Sequence, residues 1–282
     1  MKKILSLSVL FLLIKVSFAQ TSVANQTQIK DFYNTKTCVV LETGLVTEFN
    51  AYIQEAMEKF WTVTDYEIIS YSEFESRRKD ASYSFILKTK IEFEGDNTGA
   101  EYDFLTLILG GRYAEFADMP ELANFPLSYY RIDEEKYIYK LGTIIAFLQN
   151  HVEITKNNPQ LNSSNIIDFY NKNVESMVGK TLYIIKEDLD PEVDTPSEIK
   201  EVYPGNVKFV SREDMEELIN SGDPNGVFLH KVGPGTNGTR ARCWKLILGI
   251  SDAKLYYFDF HMINARNPDG FKKSDFKAIK RS

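Results

Sequence analysis

Apolar positions along this chain switch between two periods. Phe49, Tyr52, Ile53, Met57 and Phe60 recur at helical spacing, as do Leu141, Ile144, Ile145, Leu148 and Val152, and then Ile166, Ile167, Phe169, Tyr170, Val174 and Met177. Between them lie short runs rich in β-branched and aromatic residues, which predict strands at 36–42, 66–70, 83–93, 103–109, 180–186, 207–210, 227–232 and 243–250. Helix starts are marked by side chains able to satisfy the free N–H groups of a first turn: Thr195-Pro196-Ser197-Glu198, Ser72 with Glu75, and Ser211 with Asp214. Met215, Leu218 and Ile219 give the last of these helices its apolar stripe, and Gly222 ends it.

These signals occur twice in one order. Asp31-Phe32-Tyr33-Asn34 returns as Asp168-Phe169-Tyr170-Asn171, and each copy precedes a Lys-Thr pair that opens an apolar strand. A helix, a short strand, a second capped helix and a strand pair follow in each half. Leu107-Ile108-Leu109-Gly110 answers to Leu246-Ile247-Leu248-Gly249. The early alternation predicts parallel pairing through crossovers, and the later strands read as hairpins, so each copy should hold a mixed sheet flanked by helices. The expected fold class is therefore α/β (mixed α+β), in two tandem strand-helix-strand-helix-strand-strand units. Residues 28–155 form the first and 166–282 the second, and the Asn-, Ser- and Pro-rich stretch 156–165 links them.

The amino terminus has its own pattern. Lys2 and Lys3 precede an apolar run from Ile4 to Ile14, and Ser17-Phe18-Ala19 is a small-x-small cleavage site, so residues 1–19 read as an export signal removed after Ala19. The run is too short to span a bilayer, and no transmembrane segment is expected after cleavage. Export points to the periplasm or the cell exterior. Cleavage moves the formal charge from −7 to −10, which excludes nucleic acid as a partner, because phosphate contacts need clustered Lys and Arg. An exported chain could oxidise its two cysteines, Cys38 and Cys243, but both lie in strand-like apolar runs and read as free, buried residues.

Several groupings could carry chemistry. Gly233 to Arg240 spaces two Gly as a phosphate loop does, but lacks the following Lys-Ser/Thr and helix, and reads as a hairpin turn. Asp188, Asp190, Glu192 and Asp194 have the alternation of a calcium loop, with Val193 and Ile199 where that loop needs Gly and Glu, and read as a solvated loop. No metal and no cofactor are expected. Asp259 and His261 are two apart on a strand, so with Tyr257 they share a face; a carboxylate there could orient the imidazole as a general base. His151 and His230 are lesser candidates. Tyr129, Tyr130, Tyr256 and Tyr257, in clusters that also include Tyr137 and Tyr139, are the candidate binding residues, because amphipathic rings serve sugar stacking and protein interfaces.

The export signal ending Phe-Ala-Gln, with its tandem of Lys-Thr strands and capped helices, resembles the uncharacterised secreted α/β proteins of Bacteroidota-type bacteria. That resemblance covers the whole chain and implies no catalytic residues. The functional expectation is an exported envelope protein with a non-enzymatic binding or structural role, its partner another envelope protein or a glycan. The alternatives are a glycan or small-ligand binder using the Tyr-rich surfaces, and a hydrolase using Asp259 and His261.

Overall fold

The computed structural model describes residues 22–44, 47–235 and 240–280. The expected export signal, residues 1–19, and positions 236–239 of the Gly-rich turn lie outside the described residues. Helix α1 (Gln26–Phe32), capped by Asn25, leads into β1 (Lys36–Val40), α2 (Glu48–Phe60), β2 (Tyr66–Ile69) and α3 (Tyr71–Arg77). A meander of β3 (Tyr83–Glu92), β4 (Glu101–Leu109) and β5 (Glu121–Tyr129) follows, and then the long helix α4 (Leu141–Asn157). The second half repeats the order: α5 (Ile166–Asn171), β6 (Thr181–Ile184), α6 (Pro196–Val202), β7 (Asn206–Phe209) and α7 (Arg212–Ser221). It closes with β8 (Gly226–Val232), β9 (Arg242–Gly249), β10 (Leu255–Met262) and α8 (Lys273–Ile279).

Among the described residues the strands form two five-stranded sheets of identical order, β2-β1-β3-β4-β5 and β7-β6-β8-β9-β10. In each, the first three neighbours are parallel and the last three antiparallel, so both sheets are mixed. The central parallel strand is buried almost throughout, as its unbroken apolar run requires of a strand covered on both faces.

The two units pack head to tail. Phe49, Ile53 and Met57 of α2 and Leu141, Ile144, Ile145 and Leu148 of α4 share one core with Met215 and Ile219 of α7 and with Phe228, Trp244 and Leu246 of the second sheet. Helix α3 covers the outer face of the first sheet through Phe74, and α6 and α8 cover the outer face of the second through Ile199, Val202, Phe276 and Ile279. The α2/α4 face of one unit thus meets the α7 face of the next. Direct bonds cross this boundary: Tyr52 Oη to Glu216 at 3.0 Å, and Arg242 to Asp96 at 2.6 and 3.0 Å, its guanidinium 3.7 Å from the centre of the Phe93 ring.

Two sequence expectations need correction. Ser211 caps α7 with Asp214, and Gly222 ends that helix in the left-handed conformation at φ 68°. In the first unit, however, the cap of α3 is Ser70 with Glu73; Ser72 lies inside the helix and is exposed. The acid three residues after Ser72 gave a second, competing match to the same motif. The Leu-Ile-Leu-Gly match is also displaced. Thr37 stands between Tyr66 and Ser84, and Ser84 pairs with Leu109. Thr181 stands between Asn206 and Gly226, and the Gly226 carbonyl accepts from Ile250. Matched by equivalent backbone bonds, Lys36 to Ser82 answers to Thr181 to Asn225 and Gly110 to Tyr83 answers to Ile250 to Gly226, so Gly110 falls on Ile250 and the Leu-Ile-Leu-Gly match is one residue out, which puts its side chains on opposite faces. Cys38 and Cys243 are free and buried.

Candidate functional site

The carboxyl ends of β6 and β8 open into a cleft that the first unit closes from the other side. This is where open α/β sheets place ligands, because strand-to-helix loops and helix N-termini converge there. Ile185, Glu187 and Asp188 follow β6, and His230, Lys231, Val232 and Gly233 end β8; Arg212 is the first residue of α7. Opposite them stand Leu127, Ser128 and Tyr129 from the end of β5, with Tyr137 and Lys140 from the turn before α4. The cavity is about 270 Å³.

Its charges are incompletely matched. Lys140 is only 2% exposed, yet among the described residues no carboxylate or carbonyl stands within bonding distance of its ammonium. Nζ lies 5.2 Å from the centre of the Tyr139 ring and 6.0 Å from that of Phe228, contacts that offset only part of the cost of burying a charge. Arg212 likewise has no ion-pair partner among the described residues. Lys231 is bound to Asp269 at 2.8 Å; burial pulls its pKa down, but Asp188 and Asp269 outweigh this and hold it above the ordinary lysine value. Among the described residues Asp188 itself makes no side-chain bond, and burial pushes its pKa up against the pull of Lys231 and Lys140. His230 donates from Nε2 to the Pro126 carbonyl at 2.8 Å, which leaves Nδ1 as a buried acceptor without a partner. Burial, with Lys140 adding to it, drives the His230 pKa down to about 3, so the ring is neutral.

The corresponding end of the first sheet is closed. There Lys88 reaches Glu42 at 2.6 Å and Glu134 at 3.6 Å, and Glu134 accepts from the Phe49 amide at 3.1 Å. Beside them burial raises the Asp103 pKa to about 6, against the pull of Lys88. The end of the first sheet matches its charges with its own side chains, whereas at the cleft Lys140 of the first unit and Asp188 of the second are unpaired among the described residues.

The candidates from sequence lie elsewhere, with one exception. Tyr129 lines the cleft. Tyr130 is half-buried on the surface, its ring 4.7 Å from Lys90 Nζ. Tyr256 and Tyr257 are both buried, because the pairing of β10 with β9 slips between Leu255 and Tyr257 and lets adjacent residues face inward. Asp259 and His261 share a face, as the spacing requires, but each is held by another group. Lys245, itself buried, binds Asp259 at 3.2 Å and Asp275 at 2.7 Å, and Tyr257 donates to Asp275 at 3.1 Å. His261 donates to the Pro268 carbonyl at 2.9 Å, and burial lowers its pKa. His151 is half-buried, bonded through Nδ1 to Tyr170 at 2.8 Å, and desolvation lowers its pKa to about 4. Of the acidic string, Asp190 caps the Glu192 amide, Asp194 pairs with Lys186, and Asp188 enters the cleft.

Sequence reasoning missed Lys140 and Arg212. The available signal for Lys140 was a lone cation in the run Tyr137-Ile138-Tyr139-Lys140-Leu141, where the helix that follows leaves no exposed face for it. Arg212 carried none beyond following a helix cap. Fold and site together define a mixed α/β protein of two like sheets with a charged cleft between its units. No protein-family model, curated protein or solved structure matches the chain.

Proposed function

We propose that this is an exported, non-enzymatic binding protein that holds a small polar ligand in the cleft between its two units. The observation that carries this reading is Lys140: a lysine only 2% exposed whose ammonium meets the cavity at the carboxyl edge of a parallel strand pair and has no ion-pair or hydrogen-bond partner among the described residues. A charge placed there for stability alone would have been given a carboxylate, as Lys88 and Lys245 are. The hydrolase alternative loses support because Lys245 holds Asp259, so the carboxylate does not orient His261. A binding surface built on Tyr256 and Tyr257 loses support because both rings are buried.

Thermal melting of the mature chain against a panel of small charged metabolites tests the cleft. A ligand should raise Tm by mass action in the wild type and leave Lys140→Met unmoved. A panel in which every stabilising compound acts equally on both proteins contradicts the reading. Export rests on the amino-terminal pattern, and sequencing of the secreted or periplasmic product should begin at Gln20.

A further inference from the structure

We infer that the ligand of this cleft is a small zwitterion of the α-amino-acid type, with one carboxylate and one ammonium; the inference rests on the cleft being the binding site. Among the described residues the cavity walls carry unpaired groups of both signs, Lys140 and Arg212 against Asp188, with Lys136 and Glu187 at the exposed rim. Lys140 offers an ammonium and Asp188 a carboxyl group, and they do not pair with each other. Lys231 is already neutralised by Asp269. A simple anion would answer Lys140 and Arg212 and leave Asp188 without a bonded partner. A simple cation would do the reverse. A molecule with both charges satisfies both walls, and its own net charge is zero, so its transfer from water adds no unbalanced charge to the interior.

The polarity of the site is also set. Lys140 and Arg212 are both without an ion-pair partner among the described residues, so the ligand carboxylate belongs between them. Its ammonium then lies toward Asp188. The size agrees: about 270 Å³ is room for about nine waters at roughly 30 Å³ each, the heavy-atom count of a mid-sized amino acid and less than a drug-sized ligand needs. Tyr129 and Tyr137 provide ring surface for the side chain of such a ligand.

Isothermal titration of the mature chain with the twenty standard amino acids, their N-acetyl and methyl-ester derivatives, acetate and inorganic phosphate tests this. At least one free amino acid should bind saturably. Either blocked form should bind at least about tenfold more weakly, and Lys140→Met or Asp188→Asn should each cost about tenfold to a hundredfold, the range for a hydrogen bond to a charged group. Melting of each variant verifies that it is folded. If acetate, phosphate or the N-acetyl forms bind as tightly as the free amino acids, and through Lys140, the zwitterion is wrong while the cleft stands. If none of these compounds binds, the zwitterion is likewise wrong, and the wider metabolite panel decides on the cleft. If binding is unchanged in Lys140→Met, both readings are overturned.

Discussion

Two buried lysines in this molecule should respond to the same substitution with opposite signs. Lys245 neutralises Asp275, itself buried, and Asp259; Lys245→Met leaves that carboxylate uncompensated and should cost about 3 kcal/mol or more. Lys140 has no bonded carboxylate among the described residues and acts on Asp188 only at longer range, so Lys140→Met removes mainly a desolvation cost and should stabilise by about 1 kcal/mol, or about 2–4 °C in Tm. Chemical denaturation of the two variants beside the wild type measures both. Asp188 adds a pH signature. Its folded pKa is raised, so the folded state holds the proton more tightly than the unfolded one, and ionisation costs stability as pH rises above the unfolded value. Asp188→Asn should therefore raise Tm at pH 7 and leave it unchanged near pH 3, where both states carry the proton; melting curves at the two pH values check this. At this scale the sequence was least legible. An unpaired charge is a statement about what does not surround it, and Lys140 reads as an ordinary surface cation until Tyr137, Tyr139 and the β8 strand are folded around it.

Helix and strand identities were legible because each has a local cause: the stripe Phe49–Ile53–Met57, the caps Thr195 and Ser211, the stop at Gly222. What escaped was register, which local pattern leaves open by a residue or two. Ser70 and Ser72 both precede an acid by three, and only the exit of β2 at Ile69 decides between them. Ser70→Ala should lose the two bonds of the hydroxyl, from the Glu73 amide and to its carboxylate, while keeping the backbone N–H bond to that carboxylate, and cost about 1 kcal/mol, whereas Ser72→Ala, on an exposed helix face, should be neutral or slightly stabilising. Urea midpoints of the two variants separate the assignments. The slip between Leu255 and Tyr257 is the same kind of event. It turned two expected surface rings into core, with Tyr256 bonded to Asp252 at 2.8 Å.

For the whole molecule, the tandem is a repeat of sheets and not of independent domains. The central core draws on α2 and α4 from one half and on α7 and the second sheet from the other, and either half alone would expose that shared apolar face. Calorimetry should show one cooperative transition, and fragments 22–157 and 166–280 expressed alone should fail to give cooperative melting; two separable transitions would contradict the shared core. The repeat itself was visible in sequence, since Lys-Thr openings and caps are local. The cleft was not, because it joins the end of β5 and the turn at Lys140 to the ends of β6 and β8, segments brought together only by head-to-tail packing.

The central claim is that Lys140 awaits a ligand in that cleft. A crystal structure of the mature chain grown with the compound that most raises its Tm tests it most directly. The account predicts density for that compound between the units, with an anionic oxygen within hydrogen-bond distance of Lys140 Nζ. A structure with the compound elsewhere, and Lys140 paired with a carboxylate of its own chain, would contradict it.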